Sequence, residues 1–239
     1  MLNKRLIFSL ILFFLALTLY GIGFDSYGIT GGVMYIRNSS DDGAPSPILP
    51  YLGASAGFSM DFIGERYFLE PSVVFNWNYY LWSENEEMAL PAEIEYADSV
   101  LLLNIIIDCP FVMKFRIHKD LAFGALASPV FIFRIPLKTW GEGDSQKSDI
   151  LSYFYGGRFF LFEIGGLVEW DYSKKHSFKA RVDALLPVYH LWDGDSFMNQ
   201  FSVRVSLTFS FLTKTAQEKK AAAEEAAVIP VTETEAAAE

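Results

Sequence analysis

The stretch QFSVRVSLTFSFL, residues 200–212, restricts the fold of this chain more than any other. Apolar residues occupy every odd position from Phe201 to Phe211, and Gln, Ser, Arg or Thr occupies every even position from Gln200 to Ser210. Successive side chains of a strand point to opposite faces, so the pattern predicts a strand with one apolar and one polar face. A strand of about ten residues is long enough to cross a bilayer at a tilt. A soluble sandwich strand can show the same alternation.

The same alternation recurs along the chain and predicts eight strands. They cover residues 26–36, 51–62, 67–81, 100–117, 121–135, 153–172, 177–189 and 200–212. The connections between them are long, short, long, short, long, short and long. This is the layout of an up-and-down membrane barrel, which has short turns at one end and longer loops at the other.

Charged residues within the predicted strands fall almost entirely on the polar side of the alternation. The exception is Arg158, beside Gly156 and Gly157 at the end of a strand, where a bulge would accommodate it. A lipid-facing Arg or Lys at mid-membrane costs about 2–4 kcal/mol, so a bilayer would enforce such exclusion. A soluble sandwich would bury the apolar sides equally well. Its outer faces, however, should carry more Lys, Glu and Thr than the Gly, Ser and Ala found here, which suit a narrow barrel interior. The barrel is therefore favoured.

Composition supports this interpretation. Aromatic residues make up 16% of the 239 residues, and the mean hydropathy is +0.22. After residue 23 no apolar run reaches the roughly 18 residues that a spanning helix needs. The hydrophobic content therefore predicts either a large soluble core or a barrel whose apolar side chains face lipid.

The chain divides into three predicted segments. Residues 1–23 resemble a signal peptide, because Lys4 and Arg5 precede an apolar run and Gly21 and Gly23 fit a cleavage after Gly23. The alternative is an uncleaved anchor helix. Residues 24–212 form the predicted barrel, and residues 213–239 form an Ala/Glu-rich periplasmic tail that is either disordered or helical.

Four prolines fall inside predicted strands: Pro71, Pro110, Pro129 and Pro187. A closed barrel has no edge strand to accommodate them, so we expect bulges or strand ends at these positions. The inward and outward faces could exchange beyond Pro110 or Pro129.

With these features the sequence resembles the small eight-stranded bacterial outer-membrane barrels of the kind represented by outer membrane proteins A, X and W. The resemblance covers residues 26–212. It also includes the Pro-containing segment IDCPFVMKF at 107–115 and a final strand that ends in the aromatic residue Phe211. It implies a cell outer-membrane location, contact with outer-membrane lipid, a monomer, and recognition of Phe209 and Phe211 by the outer-membrane assembly machinery. In the W-like members it implies passage of small hydrophobic molecules through an opening in the barrel wall.

The polar sides of the strands carry nearly balanced charges, predicted to form a network in the lumen. Its members are Asp61, Glu70, Asp108, Lys114, Arg116, Arg134, Glu163, Glu169, Asp171, Lys179, Arg181, Asp183 and Arg204. One interpretation is a paired network that fills a narrow lumen, because buried charges need partners. The other is a narrow polar conduit or gate. An interior of eight strands is just wide enough for side chains, which argues against a wide pore.

Aromatic residues near predicted strand ends are expected to form interfacial girdles. They are Tyr35, Tyr79, Trp82, Trp170, Tyr172, Tyr189 and Trp192. The alternative is ordinary packing. The loop 82–99 is acidic and contains no Lys or Arg, which fits a solvated surface or a site for cations or a basic partner. No calcium-loop spacing is present, so no metal site is predicted.

The functional prediction from sequence is a narrow channel for small solutes, hydrophobic ones included. The alternative is a non-conducting structural or adhesin-like barrel with a plugged, salt-bridged lumen. A third hypothesis, a lipid-modifying enzyme, would need a hydrolytic set at His190 with Asp193, Asp195 and Ser196, and this short-range clustering is weak. We therefore expect no enzyme activity, no catalytic residues and no cofactor. No basic patch typical of nucleic-acid binding is present.

Overall fold

The computed structural model describes residues 22–38, 45–95, 98–139, 143–193 and 199–228. Most of the predicted signal peptide, the end of the tail and four loop segments lie outside these ranges, and the cleavage after Gly23 stays a prediction. Within them no helix has both the length and the apolar character needed to cross a membrane.

Eleven strands and three helices make up the described fold. The strands are β1 (Ile22–Ile36), β2 (Ile48–Met60), β3 (Tyr67–Leu69), β4 (Ser72–Ser83), β5 (Met88–Ala92), β6 (Val100–Asp108), β7 (Phe111–His118), β8 (Leu121–Thr139), β9 (Phe160–Ser173), β10 (His176–Leu186) and β11 (Ser202–Leu212). The helices are α1 (Gly143–Tyr155), α2 (His190–Asp193) and α3 (Lys214–Val228).

The strands close into one antiparallel ring of eight staves, where a stave is either one continuous strand or two strands in line. β3 and β4 are two parts of one stave, and β6 and β7 are two parts of the next. β1 pairs with β2 on one side and with β11 on the other, so the first and last staves close the ring. β5 is an additional strand that forms a hairpin with β4. The predicted eight-stranded up-and-down barrel is confirmed, and it is the fold of the small outer-membrane barrels.

The ring closes with a stagger of ten residues. From Ile29 the hydrogen-bonded partners run through β2, β4, β6 and β8 to Phe160 of β9. In the other direction they run through β11 and β10 to Trp170, ten residues further along the same strand. Such a stagger accompanies strands tilted by roughly 35–45° to the barrel axis. A tilted eight-stranded ring has an interior that side chains can fill.

Inward and outward sides follow the sequence alternation. On β11 Val205, Leu207 and Phe209 are exposed, whereas the side chains of Arg204, Ser206 and Thr208 are buried. The other staves repeat this pattern, with large apolar side chains such as Ile29, Leu52, Trp77 and Val182 on the outer surface. The barrel is thus apolar outside and polar or ionic through much of its interior.

The prolines interrupt two staves without reversing their faces. Pro71 separates β3 from β4, and Pro110 separates β6 from β7, because a proline cannot donate to the ladder. Val112 beyond Pro110 is still buried, and Val130 beyond Pro129 likewise, so the exchange of faces considered from the sequence does not occur. Pro129 lies inside β8, and Pro187 follows the end of β10.

Two predicted strands are too long by several residues. The strand predicted for 153–172 begins at Phe160, because residues up to Tyr155 belong to α1. The strand predicted for 177–189 ends at Leu186, where Pro187 turns the chain across the barrel end. The predicted loop at 82–99 contains β5, and the predicted loop at 136–152 contains the end of β8 and most of α1.

Candidate functional site

The lumen is the candidate site, and its charges lie in layers. We call the end with connections 61–66, 119–120 and 174–175 the short-turn end, and the opposite end the long-loop end. Nearest the short-turn end is a balanced layer of two carboxylates and two ammonium groups. Lys114 Nζ lies 2.7 Å from Glu70 Oε1 and 2.5 Å from Glu169 Oε2, and Lys179 Nζ lies 2.5 Å from Glu70 Oε2.

The next layer, which we call the central cluster, holds three carboxylates and two guanidinium groups: Asp108, Glu163, Asp183, Arg181 and Arg204. Arg204 Nη2 lies 2.6 Å from Asp108 Oδ2 and 2.8 Å from Glu163 Oε1. Arg181 Nε lies 2.7 Å from Asp183 Oδ2, and Arg181 also pairs with Glu163. All five side chains are at most 10% exposed. The cluster ties β6, β9, β10 and β11 together across the lumen.

A glycine makes room for this cluster in the wall. Gly165 faces Asp183 in the β9–β10 register. An added Cβ at Gly165 would clash with Asp183 Oδ1 and would lie 2.5 Å from the Val182 carbonyl oxygen.

We expect Gly165→Ala to lower the free energy of unfolding by about 1–3 kcal/mol, the usual cost of overpacking. Gly166→Ala is the matched control on the next residue, because its added Cβ would meet nothing closer than 3.6 Å. Urea unfolding of both variants in lipid vesicles, followed by tryptophan fluorescence, measures the difference. Equal losses in the two variants would contradict the packing argument.

Above the central cluster the lumen is apolar. Side chains of seven staves meet there: Met34, Ile36, Leu49, Tyr51, Val74, Ile106, Val130, Ile132, Leu161, Leu185 and Tyr189. Two cavities of about 20 Å³ each lie within the barrel, one beside Arg204 and Lys179 and one beside Asn104 and Arg134. A volume of this size has room for about one water molecule. The described lumen is therefore filled by side chains.

A polar layer follows the apolar one toward the long-loop end. Asn104 Nδ2 donates to Asn76 Oδ1 at 2.7 Å and to Asn78 Oδ1 at 2.5 Å. Arg134 lies next to this ladder and places its guanidinium 3.7 Å from the centre of the Phe154 ring, at cation–π distance. Phe154 belongs to α1, so this contact joins the barrel interior to the structure above it.

A cap closes the long-loop end. The β4–β5 hairpin, α1 and the start of β6 pack together through buried apolar residues: Tyr80, Met88, Ala89, Leu90, Val100, Leu102, Ile150, Tyr153 and Phe154. Gln200 fastens the cap, because its Nε2 donates to the Ala89 carbonyl oxygen at 3.0 Å and to Tyr153 Oη at 3.3 Å. The sequence analysis missed this cap. Its signal was Ile150, Tyr153 and Phe154, whose i, i+3, i+4 spacing is helical.

The tail helix α3 covers the opposite mouth. Thr213 caps the helix, accepting from Ala216 N at 3.3 Å, and its own N donates to the Asp25 carbonyl oxygen. Lys219 Nζ lies 2.5 Å from Asp61 Oδ2, and Lys220 Nζ lies 2.9 Å from Asp171 Oδ2. Asp61 follows β2 and Asp171 is on β9, four staves apart in a ring of eight. The helix therefore bridges opposite walls of the mouth.

We expect Lys219→Ala to increase hydrogen exchange of residues 214–222 while changing the unfolding free energy of the barrel by only about 0–1 kcal/mol, because the Lys219–Asp61 ion pair is exposed. The hydrogen bond to Asp61 raises the pKa of Lys219. The contact therefore stabilises the docked helix below the ordinary lysine value and is lost as the pH rises through the raised value. Exchange corrected for its intrinsic pH dependence measures both effects. Lys214→Ala, which replaces an exposed lysine of the same helix, is the control. Similar exchange in both variants would mean that the Lys219–Asp61 contact does not hold the helix in place.

Three members of the predicted lumen network lie away from the two ionic layers. Asp61 lies in an exposed turn and binds the tail, because β2 ends at Met60 before reaching it. Arg116 lies at the short-turn mouth with its side chain 54% exposed, 3.3 Å from Asp171. Arg134 belongs to the upper polar layer and packs against Phe154, away from the other ionic groups. The remaining members lie in or beside the two ionic layers.

The predicted girdle aromatics divide into two groups. Tyr35, Trp170 and Tyr172 are exposed near stave ends, where lipid interfaces would contact them. Tyr79 is half-buried, and Trp82 packs against the cap with its ring 6.2 Å from that of Tyr153. The prediction for Tyr189 is wrong: the turn after Pro187 directs it inward, where its hydroxyl donates to Gln200 Oε1 at 3.0 Å. The side chain of Trp192 lies outside the described residues.

The histidine considered for hydrolysis lies under the cap. His190 is 3% exposed, and its Nε2 lies 3.0 Å from the Asn199 carbonyl oxygen. Asp195, Ser196 and the side chain of Asp193 lie outside the described residues. Of the predicted assembly signal, Phe209 is exposed on the outer face, and Phe211 stacks on Tyr27 with ring centres 5.4 Å apart.

No protein-family model and no curated protein matches the sequence. Two solved structures are similar: Neisserial surface protein A, at 9% identity over 81% of this chain and 99% of that one, with a TM-score of 0.49; and Ail, the attachment invasion locus protein of Yersinia pestis, at 10% identity over 79% and 97%, with a TM-score of 0.40. Ail has also been solved in complex with the heparin analogue sucrose octasulfate. At these values neither structure bears on the function of this chain.

Proposed function

We propose that the chain is an integral outer-membrane barrel with a sealed lumen, which acts as a structural or surface-interaction protein and not as a channel. The filled lumen carries this proposal: two ionic layers and an apolar layer span the barrel between the cap and α3, and the cavities hold about one water molecule each. The apolar outer surface supports contact with lipid, because exposed side chains such as Leu52 and Leu207 would otherwise face water.

Planar-bilayer recording tests the sealed lumen. The refolded full chain should give no steady conductance, and a variant truncated after Thr213 should also give none, because the layers above α3 remain in place. Steady conductance of the full chain would contradict the proposal. Conductance of the truncated variant alone would mean that α3 is the barrier and that the layers above it are permeable.

The surface role would belong to the cap. Its hairpin and the segment after β5 expose several acids, among them Glu84, Glu87, Glu93 and Glu95. Such a surface favours partners that carry positive charge. Replacing these four residues with Gln should reduce adhesion of cells to cationic surfaces without changing the amount of folded barrel. Unchanged adhesion would remove the cap from this role.

A second candidate function, passage of small apolar solutes through the wall, is favoured by one observation. Three neighbouring staves carry Pro71, Pro110 and Pro129 at one level, which leaves gaps in the ladder. Side-chain and carbonyl bonds partly close these gaps: Cys109 N donates to Ser128 Oγ at 3.0 Å, and Glu70 N donates to the Pro110 carbonyl oxygen at 3.0 Å.

A disulfide across these gaps in the ladder distinguishes the two candidate functions. Pro129→Cys adds a thiol beside Cys109, within the range at which neighbouring strands can form a disulfide. If solutes pass through these gaps, uptake of an apolar dye should exceed that of protein-free vesicles, fall to that level on oxidation and recover on reduction, with Pro129→Ser as the control. A sealed barrel gives the uptake of protein-free vesicles in both redox states.

We also propose that the protein has no catalytic role. The buried position of His190 and its contact with Asn199 O support a structural role for this residue. Hydrolysis of phospholipid by the refolded protein, measured as fatty acid release and lost in His190→Gln, would overturn this.

A further inference from the structure

The central cluster carries one more acid than base. Its carboxylates are Asp108, Glu163 and Asp183, and its guanidinium groups are Arg181 and Arg204. With every group ionised, the cluster has a net charge of −1 in a setting where the carboxylates are at most 1% exposed. An uncompensated buried charge of this kind costs several kcal/mol.

Among the residues that the structure describes, nothing else in the lumen supplies the missing positive charge. Lys114 and Lys179, from the layer below, are bound to Glu70 and Glu169, which balance them. Arg134 lies beyond the apolar layer, against Phe154. The other groups that face the cluster are the Ser72 hydroxyl on Asp108 and the Tyr51 ring beside Arg204. After residue 22, the stretches outside the described ranges contain no Lys or Arg.

The hydrogen bonds show where the excess lies. Asp108 is satisfied at both oxygens, since Oδ1 accepts from Ser72 Oγ at 2.6 Å and Oδ2 accepts from Arg204 Nη2. Glu163 and Asp183 each receive guanidinium bonds at a single oxygen. Within the described structure Glu163 Oε2 and Asp183 Oδ1 are buried without a hydrogen-bond partner. Two buried carboxylates therefore each present an orphan oxygen.

We propose that the central cluster is a proton-binding site, in which one proton resides on an orphan oxygen of Glu163 or Asp183 at neutral pH. The proton brings the cluster to zero net charge and needs no added volume. A metal ion is a poorer candidate, since among the described residues no group of three or more His, Cys, Asp and Glu side chains is arranged to hold one. The proposal concerns the interior charge balance and does not depend on whether the barrel conducts.

Infrared spectroscopy of the refolded protein in vesicles in D2O tests the proton directly. At neutral pH the protein should show the carbonyl stretch of a protonated carboxylic acid. Glu163→Gln or Asp183→Asn should abolish this band, and Glu70→Gln, in the balanced layer, should leave it unchanged. If the unmodified protein shows no such band, or if the band persists in both cluster variants, the proposal is overturned.

Unfolding gives an independent measurement. Glu163→Gln keeps the shape of the side chain and brings the cluster to zero net charge without the proton, so the urea midpoint should stay close to that of the unmodified protein. Glu70→Gln leaves Lys114 and Lys179 with an excess positive charge, so its midpoint should fall clearly. A fall with Glu163→Gln as large as with Glu70→Gln would contradict the proposal.

Discussion

Replacing Arg204 with Met should lower the free energy of unfolding by about 3–5 kcal/mol, the cost of removing one partner from a buried ionic group. Arg204 contacts all three carboxylates of the central cluster, at 2.6 Å, 2.8 Å and 3.3 Å. Without it, Arg181 alone would face Asp108, Glu163 and Asp183. The uncharged Met side chain keeps most of the length and leaves the carboxylates without compensation, so loss of charge and not loss of volume dominates.

Urea unfolding in lipid vesicles, followed by tryptophan fluorescence, measures this loss. Arg66→Met is the matched control, because Arg66 is exposed in the turn between β2 and β3, with its guanidinium 5.9 Å from the centre of the Phe115 ring. Its effect should stay within about 0.5 kcal/mol, as for most surface substitutions. A loss of less than about 1 kcal/mol for Arg204→Met would show that the cluster contributes little as a unit.

Leu207→Arg should cost about 2–4 kcal/mol, the penalty for a cation on the lipid face near mid-membrane. Leu207 is 51% exposed at the centre of β11, between Gly31 of β1 and Ala180 of β10. The same substitution on the surface of a soluble protein would be nearly neutral, because the side chain already faces solvent. The measurement therefore separates a lipid-facing wall from a water-facing one.

Ile63→Arg provides the positional control for this prediction. Ile63 is 47% exposed in the turn after β2, at the short-turn end, where an arginine can reach the interface. Its cost should be about 0–1 kcal/mol, since the penalty falls near the membrane surfaces. Equal and small effects at Ile63 and Leu207 in lipid vesicles would mean that β11 does not face lipid.

The barrel could be predicted from the sequence because strand alternation is a local property. A charged side chain such as Arg204 or Asp183 must face inward wherever lipid covers the outer side. The sequence of each stave therefore shows which of its faces points into the lumen. Even the faces around Pro110 were retained, since the stave continues after a break of two residues. The pairing of the charges is not a local property of the sequence, because Asp108 and Arg204 are 96 residues apart and meet only when the ring closes.

The cap and the docking of the tail helix could not be predicted on the same grounds. Tyr189 was assigned to the interface because it lies at the end of a predicted strand, but the turn after Pro187 directs it inward, and nothing in the local sequence shows this. Asp61 shares the polar side of β2, yet the strand ends one residue earlier and the carboxylate meets Lys219 instead. In both cases the outcome depended on where a strand stops, which is the weakest part of sequence-based prediction.

The position of α3 has a consequence for the order in which the molecule assembles. Asp61 and Asp171 stand on opposite walls only after β1 has joined β11, the contact with the greatest sequence separation in the barrel. Pairings between distant segments carry the largest loop-closure cost and form late. Lys219 and Lys220 of the tail therefore cannot both reach their carboxylates on an open sheet. Docking of the tail requires that the barrel has already closed.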